Sequence, residues 1–286
     1  MGQIDDDAVG AVISALEGES VEQDGVGFEP PPIICGLARA TSTDIDRCWN
    51  AIRLATFPRI HCFATGAEMR TAWDQSERRR RVKNSIAWAV AHAKSLCADV
   101  EFSASDATRA DPEFLYEVLN IAVESGATTL NIADTAGFAM PSEFGALVTE
   151  VRRQVRGIQS GDVILSVHTH NDLGLATANS ITAIENGARQ VECTLNGIGE
   201  RAGNTALEEI VLALDFRRQY FNRRIGRDPE QAITCIRKRE VLRSCRMLAE
   251  LTGSPLAPNK AIVGSNACKY TFIQGDILDN EILGLD

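Results

Sequence analysis

Short apolar segments rich in β-branched residues alternate with longer amphipathic segments along most of the chain. The apolar segments predict six β-strands, at residues 32–38, 58–65, 99–104, 128–134, 162–169 and 190–196. The segments between and after them predict helices at residues 42–55, 76–97, 112–125, 141–156, 172–187 and 204–222, with two more at 5–17 and 229–252. Near-continuous apolar strands that alternate with helices are typical of a parallel sheet covered on both faces.

The boundaries and the number of these elements narrow the fold class. Asp111-Pro112 and Pro141-Ser142 are typical helix starts, and Gly126 and Gly187 each end a helix before the next strand. Six strand–helix units fit either a doubly wound open sheet or a (β/α)8 barrel, and the pattern alone does not choose between them. The first strand is not followed by a GxGxxG motif, which disfavours a dinucleotide-binding open sheet.

Charge and composition exclude several classes of protein. The 286 residues include 39 acidic and 29 basic side chains, for a net charge of −10, which disfavours a general binder of nucleic-acid backbones. We expect no membrane partner, because no apolar run approaches the roughly 18 residues of a membrane span. The acidic start at residues 5–7 is unlike a targeting peptide, so we expect a cytoplasmic location, or a plastid location if a transit peptide was lost upstream.

Eight cysteines are present without a CxxC pair, and most of them lie in apolar runs. We therefore expect buried, reduced thiols rather than disulfides or a zinc site.

The strongest local signal is the histidine pair His168 and His170 at the end of the fifth predicted strand. Residues i and i+2 of a strand project from the same face, so the two imidazoles are expected to converge. Two convergent imidazoles at a strand end are natural ligands of a divalent metal. The alternative is one histidine that packs in the core and one that lies on the surface.

A glycine-rich loop follows the sixth predicted strand directly. It contains Asn196, Gly197, Gly199, Glu200, Arg201, Gly203 and Asn204. Its glycines allow the backbone to approach a ligand closely and to move. Asn204 can offer an amide oxygen to a metal, and Glu200 and Arg201 can offer charge.

Polar residues also follow the third and fourth predicted strands. Asp106 and Arg109 come after the third strand, and Asp134-Thr135 end the fourth. Glu101 lies inside an apolar strand, where an unpaired carboxylate is costly, so it requires a metal, an arginine or a substrate as partner.

The motifs together resemble those of the 2-isopropylmalate and homocitrate synthase family. The resemblance covers about residues 31–264 and rests on CGLARA (35–40), GATTLNIADTxG (126–137), VHTHNDLGLATANS (167–180), GARQVECTLNGIGERAGNTALEE (187–209) and PNKAIVG (258–264). It implies a (β/α)8 TIM-barrel fold and a metal-assisted Claisen condensation of acetyl-CoA with 2-oxoisovalerate, in leucine biosynthesis. It also implies a divalent metal (Mg, Mn or Zn), acetyl-CoA as co-substrate, and a homodimer when the protein is complete.

Site residues follow from the same resemblance. His168, His170 and Asn204 match metal ligands. Catalytic or substrate-binding positions match Glu101, Thr135, Glu200 and Arg201, and the segment near the coenzyme matches Asn196, Gly197 and Gly199.

The sequence also departs from the family pattern. The Arg-Asp-Gly-Glu-Gln motif of the first family strand is absent, a family histidine position reads Met69, and a family glutamate position reads Ser105. We therefore expect an incomplete barrel, with strands three to eight present and the first two missing, and a chain truncated at both ends. The expected organisation is an N-terminal helix and loop (1–31), a partial TIM-barrel catalytic domain (32–264) and a tail (265–286) without a regulatory domain.

Two alternatives for the function remain at this point. One is a catalytically impaired relative or fragment, and the other is a sister synthase of methylthioalkylmalate, citramalate or homocitrate.

Overall fold

A computed structural model describes residues 6–18, 31–71 and 75–267 of the chain. Within these ranges six strands form one sheet in the order of the sequence: β1 (Ile34–Arg39), β2 (Pro58–Ala64), β3 (Asp99–Ala104), β4 (Thr129–Asp134), β5 (Ile164–Thr169) and β6 (Gln190–Glu192). The prediction of six strands alternating with helices is confirmed. β6 is shorter than predicted, because the chain turns into a 3-10 helix in which Asn196 has a positive φ of 61°.

The helices follow the predicted pattern with three differences. They are α1 (Asp6–Gly18), α2 (Ser42–Ile52), α3 (Gly66–Met69), α4 (Ser76–Leu96), α5 (Pro112–Glu124), α6 (Pro141–Gln154), α7 (Ala176–Glu185), α8 (Leu207–Phe216), α9 (Arg218–Ile225) and α10 (Lys238–Thr252). The short helix α3 was not expected. The helix predicted at 204–222 is interrupted at Arg217, and the one predicted at 229–252 begins only at Lys238.

Local side-chain contacts explain several helix starts. The Asp111 side chain accepts a hydrogen bond from the amide of Phe114, and Pro112 occupies the first helical position of α5. Thr65 and Glu68 form a reciprocal capping box at the start of α3. A capping box satisfies two amide groups, which explains how a four-residue helix forms directly after β2.

The chain divides into two compact units. The first, which we call unit 1, comprises Met1–Ala133 and Glu150–Ser166. In it β1 pairs with β2, β2 with β3 and β3 with β4, all in parallel. One face of these strands is apolar and buried, with Ile60, Cys62, Val100, Phe102, Leu130 and Ile132. The alternate positions make up a polar face with Arg59, His61, Glu101, Ser103, Thr129 and Asn131.

Unit 2 comprises Asp134–Thr149 and Val167–Asp286. One of its apolar clusters contains Leu212, Val241, Leu242, Cys245 and Val263, so that α8, α10 and the segment after α10 share a core. The Lys260 ammonium lies 3.0 Å from a Glu208 carboxylate oxygen and 2.9 Å from one of Glu209. These ion pairs tie the segment after α10 to α8.

The cysteines of the described residues form no disulfide, as the sequence predicted. Cys48, Cys62, Cys97 and Cys245 are buried, and burial raises the pKa of the Cys62 thiol to about 12. Cys35 and Cys235 are exposed, so the expectation of buried thiols is wrong for these two. Cys35 is exposed because alternate residues of β1 are not covered.

Some expectations lie outside the described residues. Most of the predicted loop before β1 (19–30), Cys268 and nearly all of the predicted tail fall there. Among the residues that the structure describes, no helix is both long and apolar enough to cross a membrane.

Candidate functional site

The histidine pair lies at the end of β5, in unit 2. The Nε2 atoms of His168 and His170 are 3.1 Å apart, and the two rings are nearly perpendicular, at 82°. His170 is buried and His168 is partly exposed. The structure thus brings the two imidazoles together on one side of the strand, as their spacing predicts.

The contacts at the outer nitrogens differ between the two rings and bear on their tautomers. His168 Nδ1 lies 2.7 Å from Glu192 Oε2, and His170 Nδ1 lies 2.7 Å from the carbonyl oxygen of Thr135. A carboxylate oxygen only accepts hydrogen bonds, so we assign the proton of neutral His168 to Nδ1. His170 Nδ1 lies 2.7 Å from an acceptor, the Thr135 carbonyl oxygen, and 2.7 Å from a donor, Arg201 Nη2, so its proton is on Nδ1 only in the tautomer that donates to Thr135. The Nε2 lone pair of His168 then faces Nε2 of His170, and with the proton of His170 also on Nδ1 the two lone pairs would bind a shared cation.

Asn204 contributes a third donor atom to this region. It forms an isolated antiparallel bridge with His170, and its Nδ2 donates to the carbonyl oxygen of Ile198 at 3.0 Å. Its Oδ1 is buried and has no hydrogen-bond partner among the described residues. A buried oxygen without a donor costs about 1–3 kcal/mol, and coordination to a cation would offset that cost.

These three residues fit a divalent metal. Metal–nitrogen bonds of about 2.1 Å place two neighbouring ligands of one ion about 3 Å apart, close to the distance between the two Nε2 atoms. The amide oxygen of Asn204 would be a third ligand, and it is neutral like the two imidazoles. Imidazoles favour a borderline ion such as Zn²⁺, and the amide oxygen also suits Mn²⁺ or Mg²⁺.

Arg201 fixes the glycine-rich loop beside His170. Its guanidinium donates to both carboxylate oxygens of Asp172, at 2.8 and 2.9 Å, and to the carbonyl oxygen of Thr135 at 2.7 Å. The hydrogen bond from Arg201 holds the pKa of the Asp172 carboxyl below its usual value. Arg201 Nη2 also lies 2.7 Å from His170 Nδ1 and donates a hydrogen bond to it in the tautomer of His170 that carries its proton on Nε2.

The glycines of the loop are required by close approach. A Cβ at position 199 would collide with the side-chain amide of Asn204, and one at position 203 would collide with the carbonyl oxygen of Gly197. Gly197 and Gly203 also have positive φ, at 68° and 93°. The absence of side chains here lets the loop fold against the side chain of Asn204.

The other loop residues predicted from the sequence lie in two different environments. Asn196 donates through Nδ2 to the carbonyl oxygen of Cys245 at 2.8 Å, and its amide donates to Glu208 at 3.0 Å, so it anchors the loop to α8 and α10. Glu200 is exposed over 79% of its side chain and lies 3.5 Å from Arg201.

The carboxylates predicted after β3 lie in unit 1. Glu101 is buried, and its carboxylate lies 3.2 Å from the guanidinium of Arg59. An arginine is therefore one of the partners that this buried carboxylate requires. Asp106 is also buried, and Arg109 binds both of its carboxylate oxygens at 2.8 and 2.7 Å. Asp106 thus stabilises the turn after β3 through an ion pair.

Sequence reasoning missed Glu192 and Asp172, which orient His168 and Arg201. Asp172 lies in the HTHND motif, but no role was predicted for it. Glu192 is a charged residue between apolar residues at the end of β6, which lies next to β5 in the sheet. A charged side chain at that position could have indicated a role beside the histidines.

Comparisons with known proteins agree on a family and a fold. The family model described as HMGL-like matches residues 2–237. A 2-isopropylmalate synthase of Thermosynechococcus vestitus is 52% identical over 244 residues, which are 85% of this chain and 45% of that protein. One of Gloeothece citriformis is 51% identical over 261 residues, 90% of this chain and 48% of that protein. The chain spans about half the length of these relatives.

Among solved structures, an HMG-CoA lyase from Acinetobacter baumannii superimposes with a TM-score of 0.59 at 17% identity. The match covers 84% of this chain and 73% of the lyase. The HMG-CoA lyase of Bacillus subtilis gives 0.56 at 16% identity, over 87% and 78%. At this level of identity the likeness shows the fold alone.

Proposed function

Since this chain belongs to the HMGL-like family, we propose that it carries the metal-binding and 2-oxo-acid-binding part of a 2-isopropylmalate synthase site. The reaction would join acetyl-CoA to a 2-oxo acid, with 2-oxoisovalerate as the proposed substrate in leucine biosynthesis. About 50% identity to proteins with that name supports the reaction class. The observation that carries the proposal is the 3.1 Å approach of the two Nε2 atoms beside the buried oxygen of Asn204.

The proposed metal ligands are His168, His170 and Asn204. A divalent ion bound to them supplies Lewis-acid polarisation of the keto oxygen. Glu192 holds His168 in the tautomer that leaves Nε2 available, which is the usual task of residues around a metal site. We propose that the Thr135 carbonyl does the same for His170 when a metal is bound.

The remaining proposed roles concern the substrates. We propose that the Thr135 hydroxyl binds the carboxylate of the 2-oxo acid, and that Arg201 holds the loop in place through Asp172. Glu101 is proposed as a substrate-site carboxylate, with Glu200 as an exposed charge on the loop. Asn196, Gly197 and Gly199 are proposed to position the segment that contacts the coenzyme. In the complete barrel the six strands would be strands three to eight.

The three proposed ligands are all neutral, so they add no negative charge to stabilise a bound metal ion. A carboxylate ligand and an arginine near the forming oxyanion would each add stabilisation, and one lost oxyanion donor typically costs about 100- to 1000-fold in rate. We therefore expect the 286-residue chain alone, with Mn²⁺, acetyl-CoA and 2-oxoisovalerate, to release CoA at no more than the background rate.

The decisive comparison uses the chain fused to the Arg-Asp segment of a relative. We expect metal-dependent formation of 2-isopropylmalate by this fusion, abolished by His168→Ala and retained by His92→Ala, a matched change at a histidine bound to Asp46 in unit 1. A fusion that binds metal but forms no product, or one whose turnover survives His168→Ala, contradicts the proposal.

A further inference from the structure

The polar face of unit 1 carries a second group of metal-ligand types. A thiol sulfur of Cys35, an imidazole nitrogen of His61 and a carboxylate oxygen of Glu101 all lie within 4.8 Å of one another. We propose that these three residues, which we call the Cys35 cluster, form a zinc site that shares no ligand with the histidine pair.

The sheet itself positions the three ligands. They belong to three neighbouring parallel strands, β1, β2 and β3, and His61 is the register partner of Glu101. Cys35 pairs in register with Arg59, two residues before His61, so all three side chains belong to the same face. Ligands on paired strands are held more firmly than ligands on loops, which favours a defined site.

The donor set is a common one for zinc. Zn²⁺ binds thiolate, imidazole and carboxylate at about 2.3, 2.0 and 2.0–2.2 Å, so its ligands stand on the order of 3.5 Å apart. Side-chain rotation has to shorten separations of up to 4.8 Å by about 1 Å, which requires no shift of the strands. The sulfur ligand selects zinc over magnesium or calcium.

Charge balance supports a divalent ion at this place. Arg59 is buried and lies 2.8 Å from Asp99 and 3.2 Å from Oε2 of Glu101. A zinc ion and Arg59 carry three positive charges, which match a Cys35 thiolate, Asp99 and Glu101.

Two buried oxygens on the same face provide an independent indication of a ligand. The Oδ1 of Asn131 and the Oγ1 of Thr129 have no hydrogen-bond partner among the described residues, although both residues are at least 99% buried. Thr129 is the register partner of Glu101, and Asn131 Nδ2 donates to Ser103 Oγ at 2.7 Å. A water bound to zinc in a fourth position can donate to such acceptors.

A hydrogen bond also prepares His61 for a metal. Its Nε2 lies 2.7 Å from Ser103 Oγ, which already accepts from Asn131. If Nε2 donates to Ser103, Nδ1 carries the lone pair, and binding through Nδ1 keeps this hydrogen bond. Cys35 is exposed, which gives an ion and a chemical probe access to the cluster.

The test compares two exposed cysteines in one molecule. In the chain with His168→Ala and His170→Ala, alkylation of Cys35 and Cys235 by iodoacetamide is followed by peptide mass spectrometry, with and without Zn²⁺. We expect zinc to slow the alkylation of Cys35 at least tenfold and to leave Cys235 unchanged, because a coordinated thiolate is a poor nucleophile. His61→Ala should remove the protection. Zinc that protects both cysteines equally, or neither, overturns the proposal.

A spectroscopic measurement distinguishes loss of the zinc site from loss of the fold. Co²⁺ in place of Zn²⁺ should give a thiolate-to-cobalt charge-transfer band at one equivalent, present in Cys235→Ser and absent in Cys35→Ser. Both changes are at exposed positions, and matched circular dichroism spectra of the two variants verify the fold. A band that survives Cys35→Ser contradicts the assignment. Neither readout uses the histidine pair, so both can fail while the metal ligands of the function proposed above stand. Glu101 is also the substrate-site carboxylate of that function, so zinc at the Cys35 cluster would exclude the 2-oxo acid from Glu101.

Discussion

The histidine pair of unit 2 and the Cys35 cluster of unit 1 are prepared for a metal in different ways. Each imidazole of the pair has a hydrogen-bond acceptor at Nδ1, which leaves neutral nitrogens already 3.1 Å apart. The Cys35 cluster has ligands up to 4.8 Å apart and a thiol that must lose its proton. Metal binding at the Cys35 cluster should therefore release the thiol proton.

The comparison also shows what surrounding residues contribute. Around the pair, Glu192 and the Thr135 carbonyl lie at the Nδ1 atoms of ligands that carry no charge themselves. The negative charge beside these ligands comes from Glu192, which is not a ligand. Around the Cys35 cluster, Arg59 balances one of its two carboxylate partners, so a divalent metal would balance the other carboxylate and the thiolate.

Removal of both ligands of the pair should have the largest effect. We expect the chain with His168→Ala and His170→Ala to bind Mn²⁺ more than 100-fold more weakly, because two of three protein ligands are lost, measured by calorimetry. The control is His92→Ala, whose ring stacks on Trp88 and bonds Asp46. Retained Mn²⁺ affinity in the double variant would show that the pair is not a metal site.

Loss of the carboxylate behind His168 should come next. Glu192→Gln weakens the acceptor at Nδ1 without removing a ligand, so we expect 10- to 100-fold weaker Mn²⁺ binding. Glu200→Gln changes an exposed glutamate of the same unit and should leave the affinity unchanged. Equal affinities in the two variants would argue that His168 is not oriented by Glu192.

Most helices and strands of the fold could be predicted from the sequence, and the exceptions occur at particular residues. The strands β2 to β5 follow from apolar runs, since burial of one whole face requires them. The end of β6 did not follow, because the positive φ of Asn196 is set by its bonds to Glu208 and Cys245, which are distant in sequence. The break at Arg217 lies inside a continuous helical pattern and carries no glycine or proline signal.

The site shows a similar division. The i, i+2 spacing of His168 and His170 predicts their convergence, because the strand period alone decides it. The acceptors at their outer nitrogens were not predictable, since one is a backbone carbonyl and the other depends on the neighbour of β5 in the sheet. The Cys35 cluster was missed for the same reason, because it depends on strand register.

A methyl group in the loop should test how the third ligand is held. Gly199→Ala places a Cβ against the side-chain amide of Asn204, whose end can move aside, so we expect about tenfold weaker Mn²⁺ binding with almost no change in the free energy of unfolding. Gly10→Ala in α1 meets open space and serves as the control. Unchanged Mn²⁺ affinity in Gly199→Ala would exclude Asn204 as a ligand that depends on its present position.

The smallest expected effect distinguishes the buried thiols of unit 1 from the exposed Cys235. Burial raises the pKa of Cys48 to about 11 and of Cys62 to about 12, from an ordinary value of 9.0. A group whose pKa is raised on folding stabilises the protein fully below its unfolded pKa, and that contribution is lost as the pH rises towards the folded pKa. Between pH 9 and 10 we expect the free energy of unfolding to fall by about 1 kcal/mol for each thiol, measured by urea titration. Cys48→Ala should reduce this slope and Cys235→Ser should not, because Cys235 is exposed. A stability that stays level from pH 9 to 10 would mean that the two thiols ionise as readily in the folded chain as in the unfolded one.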